Sequence, residues 1–204
     1  MALTGIFLVL FLIVHAGINA CIFLNDGGVT FNEVAHFMGH NWIMRFLELG
    51  LFTGFIIHII QGLILWKQNS DARPVGYHVN KPGKNSKWYS RSMGLLGSLL
   101  LIFLVLHLRH FYVDSRIAVY THTSHDLYLE MKNLFQDGIV VIIYLAGLVA
   151  LFWHLIQGFQ SAWQTLGINH KRYTPLLKKI GWGYAIVICV TFALMPLAFY
   201  FGCL

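Results

Sequence analysis

Four histidines stand out because each lies within a long apolar run, where an ionisable side chain is costly. They are His15, His58, His107 and His154, in the runs FLVLFLIVH, GFIIHIIQG, LLIFLVLH and ALFWHLIQG. A titratable residue inside a membrane span indicates a functional site. Imidazole is the commonest protein ligand of metal ions. One histidine in each of four successive runs therefore predicts a set of metal ligands.

The composition places the chain among membrane proteins. Only 11% of its 204 residues are charged, and the mean hydropathy is +0.66. A helix needs about 20 apolar residues to cross a bilayer. We predict an all-α integral membrane protein, a single membrane domain over 1–204. The first apolar run lacks the basic start and the cleavage site of a signal peptide, so we count it as a span. The five predicted transmembrane helices are 3–24, 43–66, 90–112, 138–161 and 181–203.

The basic residues indicate how the chain is oriented. Ten of the 14 Lys and Arg residues lie in the loops 67–91 and 163–179, and the other connections are richer in acid. By the positive-inside rule these two loops face the cytoplasm, which puts the N-terminus inside and the C-terminus outside. Membrane topology thus explains the net charge of +6. It predicts contact with the lipid bilayer and not with nucleic acid.

The depth of the histidines predicts how they pair. Spans 1 and 3 run outwards and carry His15 and His107 in the outer half of the bilayer. Spans 2 and 4 run inwards and carry His58 and His154 in the inner half. At 1.5 Å per residue the two levels differ by roughly 10–15 Å. Two imidazoles at one level can ligate one metal from both sides. The pattern therefore predicts a four-helix bundle with one extra span, holding two bis-histidine haems b.

Other metal sites and a proton relay fit the sequence less well. A zinc or di-iron site needs cysteines or carboxylates beside the histidines, and a proton relay needs acids at depth. The interiors of the spans offer neither beside the histidines, and the three cysteines form no CxxC pair. An internal repeat, H-x-I-Q-G at 58–62 and 154–158, indicates a duplicated two-helix unit.

Polar residues are expected at the outer mouth of the bundle. Thr30 and Glu33 have the spacing of a capping box, which predicts a short helix after span 1. Glu33 and His36 either line a quinone pocket and exchange protons there or are solvated loop residues, and the sequence leaves both open. Near the outer end of span 2, Arg45 and Glu48 have the i, i+3 spacing of an ion pair.

At this level of detail the chain resembles a known family. It is similar to the dihaem cytochrome b subunit of succinate:quinone oxidoreductases, in the form with one five-span polypeptide found in Bacteroidetes-like bacteria. Members usually carry a segment rich in serine and basic residues ahead of the stretch where this chain begins. The resemblance covers essentially the whole chain, through MALTGIFLVLFLIVH, FNEVAHFM, ARPVGYHVNKPGKNSKWYSRSMGLLG and the four histidines.

The resemblance implies roles for individual residues. The proximal haem would face an iron–sulfur subunit, and the distal haem would lie near the outer face. Some fumarate reductases have a glutamate for proton transfer two residues before the fourth histidine, where this chain has Phe152. The residues assigned by resemblance are His58 and His154 to the proximal haem, His15 and His107 to the distal haem, Ser90, Arg91 and Ser92 to haem propionates, and Glu33, with His36 beside it, to the quinone.

The function implied is electron transfer in a bacterial cytoplasmic membrane. The chain would pass electrons between a membrane quinone, menaquinone by resemblance, and flavoprotein and iron–sulfur subunits on the cytoplasmic face. As the quinone-reactive subunit of a succinate dehydrogenase or fumarate reductase, it would do no dicarboxylate chemistry itself. Two rival hypotheses stay open. One is the cytochrome b subunit of a hydrogenase or formate dehydrogenase, and the other is a haemless membrane scaffold whose histidines join helices by hydrogen bonds.

Overall fold

The computed structural model describes residues 1–72, 84 and 86–204, and within those residues the chain forms helices and no strand. A 3-10 turn at Ala20–Leu24 extends the first helix, and a π-helical turn at Leu108–Tyr112 joins the fifth to the sixth. The helices are α1 (Ala2–Asn19), α2 (Val29–His40), α3 (Trp42–Asp71), α4 (Trp88–Arg91), α5 (Met93–His107), α6 (Val113–Thr121), α7 (Leu127–Leu134), α8 (Gly138–Thr165) and α9 (Thr174–Tyr200).

Five of the described helical segments are long and apolar enough to cross a membrane, which confirms the predicted fold class. The third is longer than predicted because the π-helical turn carries the helix on through polar residues. The fifth begins earlier because Pro175, in its first turn, suits a helix start, where the missing N–H costs nothing. Their bounds are Ala2–Leu24, Trp42–Asp71, Met93–Thr121, Gly138–Thr165 and Thr174–Tyr200.

Four of these helices form a closed ring. Along the ring, α1 packs against α3, α3 against α5, α5 against α8 and α8 against α1. Helices α1 and α5 therefore face each other across the bundle, as do α3 and α8. We call the end of the bundle with Met1 the N-terminal end, and the end with Leu204 the C-terminal end.

Helix α9 lies outside the ring, packed along α8 and α1. Ala185 on α9 is fully buried, and the Tyr184 hydroxyl donates to the Val9 carbonyl of α1 over 2.8 Å. Gly181 brings α9 close to α8, since a Cβ there would lie 2.8 Å from the Phe159 ring. The fifth helix therefore supports the ring from one side and leaves the histidines to the other four.

Short helices α2 and α7 cover the C-terminal end. Phe31 of α2 is 2% exposed and packs in a cluster with Met131 and Phe135 from the α7 region. The predicted capping box at Thr30 and Glu33 is wrong. The Asp26 carboxylate instead accepts from the backbone N–H groups of Gly28 and Thr30, over 3.0 and 2.9 Å. Hydrogen bonds from the Thr30 side chain and from these backbone N–H groups lower the pKa of Asp26.

Gly28 is required by its backbone and by its neighbour. Its φ is +84°, and a Cβ there would lie 2.2 Å from Tyr128 Cγ. We expect Gly28→Ala to destabilise the protein by more than about 1 kcal/mol, since both strain and a clash oppose the new methyl group. Thermal unfolding in detergent, followed by circular dichroism, measures the effect. Gly27→Ala is the matched control, because Gly27 has φ +68° and open space around it. Equal destabilisation by the two variants would show that the Tyr128 contact contributes nothing.

Asp126 joins α7 to α2, and its contribution should depend on pH. Its carboxylate accepts from the Leu129 N–H over 2.9 Å and from the Asn32 side-chain amide over 2.8 Å. These bonds lower the pKa of Asp126 below its ordinary value of 3.8. The stabilisation is therefore complete above about pH 4 and is lost as the pH falls through the lowered pKa. We expect Asp126→Ala to cost about 1 kcal/mol near neutral pH. The difference in melting temperature from the unsubstituted chain should shrink on acidification, and a difference independent of pH would contradict this account.

Candidate functional site

The four histidines occupy two layers of the bundle. Gly5 of α1 lies beside His58, where an added Cβ would be 3.6 Å from His58 Cε1. Gly97 of α5 lies beside His154 in the same way, at 3.9 Å. Ten residues beyond each glycine, α1 carries His15 (15 − 5 = 10) and α5 carries His107 (107 − 97 = 10). At 1.5 Å per residue this offset separates the layers by about 15 Å along the bundle axis.

Within each layer the two histidines come from helices that face each other across the ring. His58 on α3 and His154 on α8 form the N-terminal layer, with ring centroids 6.3 Å apart. His15 on α1 and His107 on α5 form the C-terminal layer, with ring centroids 5.8 Å apart. The structure thus brings together the same two pairs that the depth argument selects from the sequence.

The separation of the rings suits two imidazoles that share one metal. A metal–imidazole nitrogen bond is about 2.0–2.1 Å long, so two opposed rings on one metal have centroids roughly 6 Å apart. Among the described residues there is no group of three or more His, Cys, Asp or Glu placed to hold a metal ion. Each layer therefore offers two imidazoles, and a metal held between them would have to bring its remaining ligands with it.

Two of the histidines have a polar partner at Nδ1. His58 Nδ1 lies 3.2 Å from the Thr4 hydroxyl of α1. His15 Nδ1 lies 3.4 Å from the Asn19 side-chain amide, one turn further along the same helix. A ligating imidazole donates from its Nδ1–H group and binds the metal through Nε2. The Thr4 hydroxyl donates to the Met1 carbonyl and can accept from His58, so Thr4 is a candidate for that positioning role, which the sequence pattern did not select. The Asn19 amide nitrogen is itself a donor, to the His15 carbonyl, and cannot accept from His15.

The other two histidines have orphaned polar atoms. Nδ1 of His107 and Nδ1 of His154 are buried, and neither has a hydrogen-bond partner within the described residues. A buried polar nitrogen without a partner is costly and calls for an explanation. A helix-joining hydrogen bond at Nδ1 is therefore absent from both of these imidazoles within the described residues, and a metal bound at Nε2 would leave the same nitrogens without a partner.

The N-terminal layer has a glycine beside each of its two histidines. The other two helices of the ring contribute Gly5 on α1 and Gly97 on α5 to this layer. A Cβ added to either glycine would be in van der Waals contact with an imidazole ring. A flat group between His58 and His154 would extend towards those two glycines. Glycine is the residue that lets a bulky group approach a helix backbone closely. The two glycines would therefore let a flat group between the histidines approach the backbones of α1 and α5.

In the C-terminal layer the other two helices of the ring contribute polar residues instead of glycines. By the same offset of ten residues, Glu48 lies level with the pair on α3 (58 − 48 = 10) and Tyr144 lies level with it on α8 (154 − 144 = 10). The Tyr144 ring is 6.2 Å from the His107 ring, and its hydroxyl is 3.0 Å from Nδ1 of His110. The sequence argument placed no carboxylate at depth beside the histidines, and the register of the bundle puts Glu48 at the level of this pair.

Glu48 belongs to a charged cluster at this end of the bundle. Its carboxylate accepts from Arg45 over 3.3 Å, which confirms the predicted i, i+3 pair, and Arg116 of α6 lies 3.6 Å away. The Tyr112 hydroxyl also donates to it. Arg116 and Tyr112 were missed because they lie more than 60 residues from Glu48, where no local spacing links them.

The π-helical turn after His107 directs these side chains. Within Leu108–Tyr112 one extra residue is accommodated per turn, which rotates the residues that follow around the helix axis. His110 then meets Tyr144 on one side, and Tyr112 meets Glu48 on the other. Such turns occur often at functional sites. In the sequence, only the polar pair Arg109-His110 after His107 indicated that the apolar helix changes at this point.

The residues predicted for the quinone lie apart from the histidine layers. Glu33 and His36 are exposed on α2, and the His36 ring stacks on His40 with centroids 3.8 Å apart. In the described part of the chain no hydrogen bond, ion pair or ring contact joins either residue to the four histidines. Their assignment to the quinone stays a prediction.

The residues predicted for haem propionates lie at the N-terminal end. Ser90 and Ser92 are half-buried, and Arg91 is exposed with its guanidinium donating to the carbonyl and hydroxyl of Ser86. Trp153, the neighbour of His154, stacks on Tyr89 with ring centroids 5.2 Å apart. Helix α4 is thus tied to α8 beside the N-terminal layer. The basic residues Arg73 and Lys81 of the same connection lie outside the described residues.

No family model, curated protein or solved structure matches the chain. The chemistry of the site is therefore argued from its own residues. Paired imidazoles at two depths of a helix bundle can ligate two metals one above the other, with the charged cluster next to only one of them.

Proposed function

We propose that this chain is a membrane electron-transfer subunit that holds two bis-histidine haems b and contributes a quinone site to a succinate:quinone oxidoreductase. The observation that carries the proposal is the pairing of four histidines at two depths, with ring centroids 5.8 and 6.3 Å apart. Haem brings most of the ligands of its iron with it, so the two histidines of a layer would supply those that remain. Bound haem would supply one-electron transfer.

The chain's own residues would hold the haems and set their surroundings. His58 and His154 would ligate one haem beside Gly5 and Gly97, with Thr4 orienting His58. His15 and His107 would ligate the other. The spans exclude water from both layers, and the layers lie about 15 Å apart along the membrane normal.

The position in the membrane follows from charge and resemblance. The N-terminal end carries the basic connections and would face the cytoplasm of a bacterial inner membrane. Flavoprotein and iron–sulfur subunits would dock there, beside the His58/His154 layer. The C-terminal end would lie near the outer face, where Glu33, His36 and the Glu48 cluster supply polar groups beside a quinone, which is menaquinone by resemblance.

One experiment tests the assignment to a succinate:quinone oxidoreductase. The chain is purified with its natural partners through a tag, the partners are identified by mass spectrometry, and succinate, formate and hydrogen are added in turn. We expect b-type spectra that succinate reduces and fumarate reoxidises. Reduction by formate or hydrogen and not by succinate would assign the chain to the rival enzyme class. A colourless complex, which contains no haem, would leave the hypothesis of a membrane scaffold.

A further inference from the structure

The cluster around Glu48 carries an excess positive charge in a poorly solvated place. Arg45 and Arg116 share one carboxylate, that of Glu48, so the three groups together carry a charge of +1. Their side chains are only 29%, 16% and 19% exposed. A buried or half-buried charge without a partner is costly. The cluster therefore needs one more anionic group.

Arg116 can offer one further N–H donor to such an anionic group. One terminal nitrogen donates to the Gly39 carbonyl over 3.3 Å, and the other lies 3.6 Å from Glu48. Its Nε is buried and has no hydrogen-bond partner within the described residues. Arginine binds carboxylates through just such an edge of Nε and a terminal nitrogen.

Two acids near Arg116 in the sequence are paired with other bases. Asp114 accepts from Arg109 over 2.9 Å, and Glu130 pairs with His125 over 2.9 Å. Burial raises the pKa of Glu130, and His125 opposes that shift. Among the described residues, Glu48 is thus the one carboxylate within ion-pair distance of Arg116.

The cluster lies at the same end of the bundle as the C-terminal histidine layer. Arg116 comes nine residues after His107 in the same helical segment (116 − 107 = 9), and helix side chains tilt towards the helix N-terminus, which is the side of His107. Glu48 is level with His15 and His107 by the register of the bundle. The guanidinium also lies 5.3 Å from the Tyr112 ring centroid, which holds it in place. No comparable pair of half-buried arginines lies at the N-terminal layer in the described part of the chain.

We propose that Arg45 and Arg116 form a carboxylate-binding site for the prosthetic group held between His15 and His107. This inference rests on the proposed function, because it takes haem, which bears two carboxylates, as the occupant of that layer. Arg116 supplies a charge-assisted hydrogen bond from Nε, and Arg45 supplies charge. Glu48 competes for the same arginines and so limits the strength of the site.

The test measures haem loss from the purified complex to an excess of a haem-free acceptor protein. A charge-assisted hydrogen bond is worth about 1.5–3 kcal/mol, so we expect Arg116→Gln to speed loss of the C-terminal-layer haem about tenfold or more. Arg116→Lys should restore part of the retention because it keeps the charge. Arg109→Gln is the matched control, since Arg109 is exposed, close in sequence and paired with Asp114. Retention of the N-terminal-layer haem reports that each variant is folded.

Glu48→Gln separates this role from a structural one. If the arginines bind a carboxylate, removing the competing charge of Glu48 slows haem loss, the opposite effect to Arg116→Gln. If the cluster merely joins α3 to α6, both variants loosen the layer and both speed the loss, which would overturn the proposal. Unchanged loss in Arg116→Gln, including loss that instead follows the content of anionic lipid, would overturn it too. Absence of haem from the unsubstituted complex would refute the proposed function itself.

Discussion

Replacing His107 by alanine is expected to halve the haem content of the purified protein. His107 shares its layer with His15 alone, at a ring distance of 5.8 Å, and the other pair lies about 15 Å away along the bundle. Loss of one axial ligand should therefore empty the C-terminal layer and leave the N-terminal layer loaded. A pyridine haemochrome assay, normalised to protein by amino-acid analysis, gives the ratio directly.

Variants of the other histidines test the same pairing. His15→Ala should give the same half content as His107→Ala, and the double variant should lose no more than either single one. His15→Ala combined with His58→Ala should lose all haem, since the two residues belong to different layers. His110→Ala is the control, because His110 follows closely in sequence but bonds to Tyr144. Equal loss from His110→Ala, or additive loss within one layer, would contradict the pairing.

A large side chain in place of Gly97, beside His154, is expected to remove the haem of the N-terminal layer. A Cβ on Gly97 would already lie 3.9 Å from His154 Cε1, so the branched end of a leucine would occupy the space beside the imidazole. Gly97→Leu should therefore lose the N-terminal-layer haem and keep the haem of the C-terminal layer. Redox titration followed by visible spectroscopy shows which of the two components is missing.

The control for this variant uses a glycine that faces outwards. Gly183 on α9 is exposed, and nothing lies within 4 Å of a Cβ built there. Gly183→Leu should keep both haems, since the added side chain meets lipid. Full haem retention in Gly97→Leu, in a protein that melts normally, would show that the N-terminal layer does not hold a planar group beside Gly97.

Much of the fold could be predicted from local sequence. The length and hydropathy of the spans are properties of single segments, so five helices followed directly. The depths of His15 and His58 also followed, because helix rise converts residue position to height once each span has a direction. The helix ends were less predictable, as the cap at Asp26 shows. Several polar residues near a turn can accept the same backbone N–H groups, and only the final packing selects one.

The charged cluster could not be predicted because it depends on tertiary packing. Glu48 and Arg116 lie on different helices, and the π-helical turn after His107 sets the direction in which Arg116 points. The roles of Thr4 and Gly5 depend on the register of α1 against α3. One residue of sliding would move each contact by about 1.5 Å, and nothing in a single sequence fixes that register.

The measurement that tests the central claim most directly is the ratio of haem b to polypeptide in the purified, unsubstituted protein. Pyridine haemochrome absorbance gives the haem, and low-temperature electron paramagnetic resonance of the oxidised protein gives its ligation. The account predicts two haems for each chain, both low-spin with two imidazole ligands. A protein without haem, or one whose haem is high-spin with an open coordination position, would contradict it.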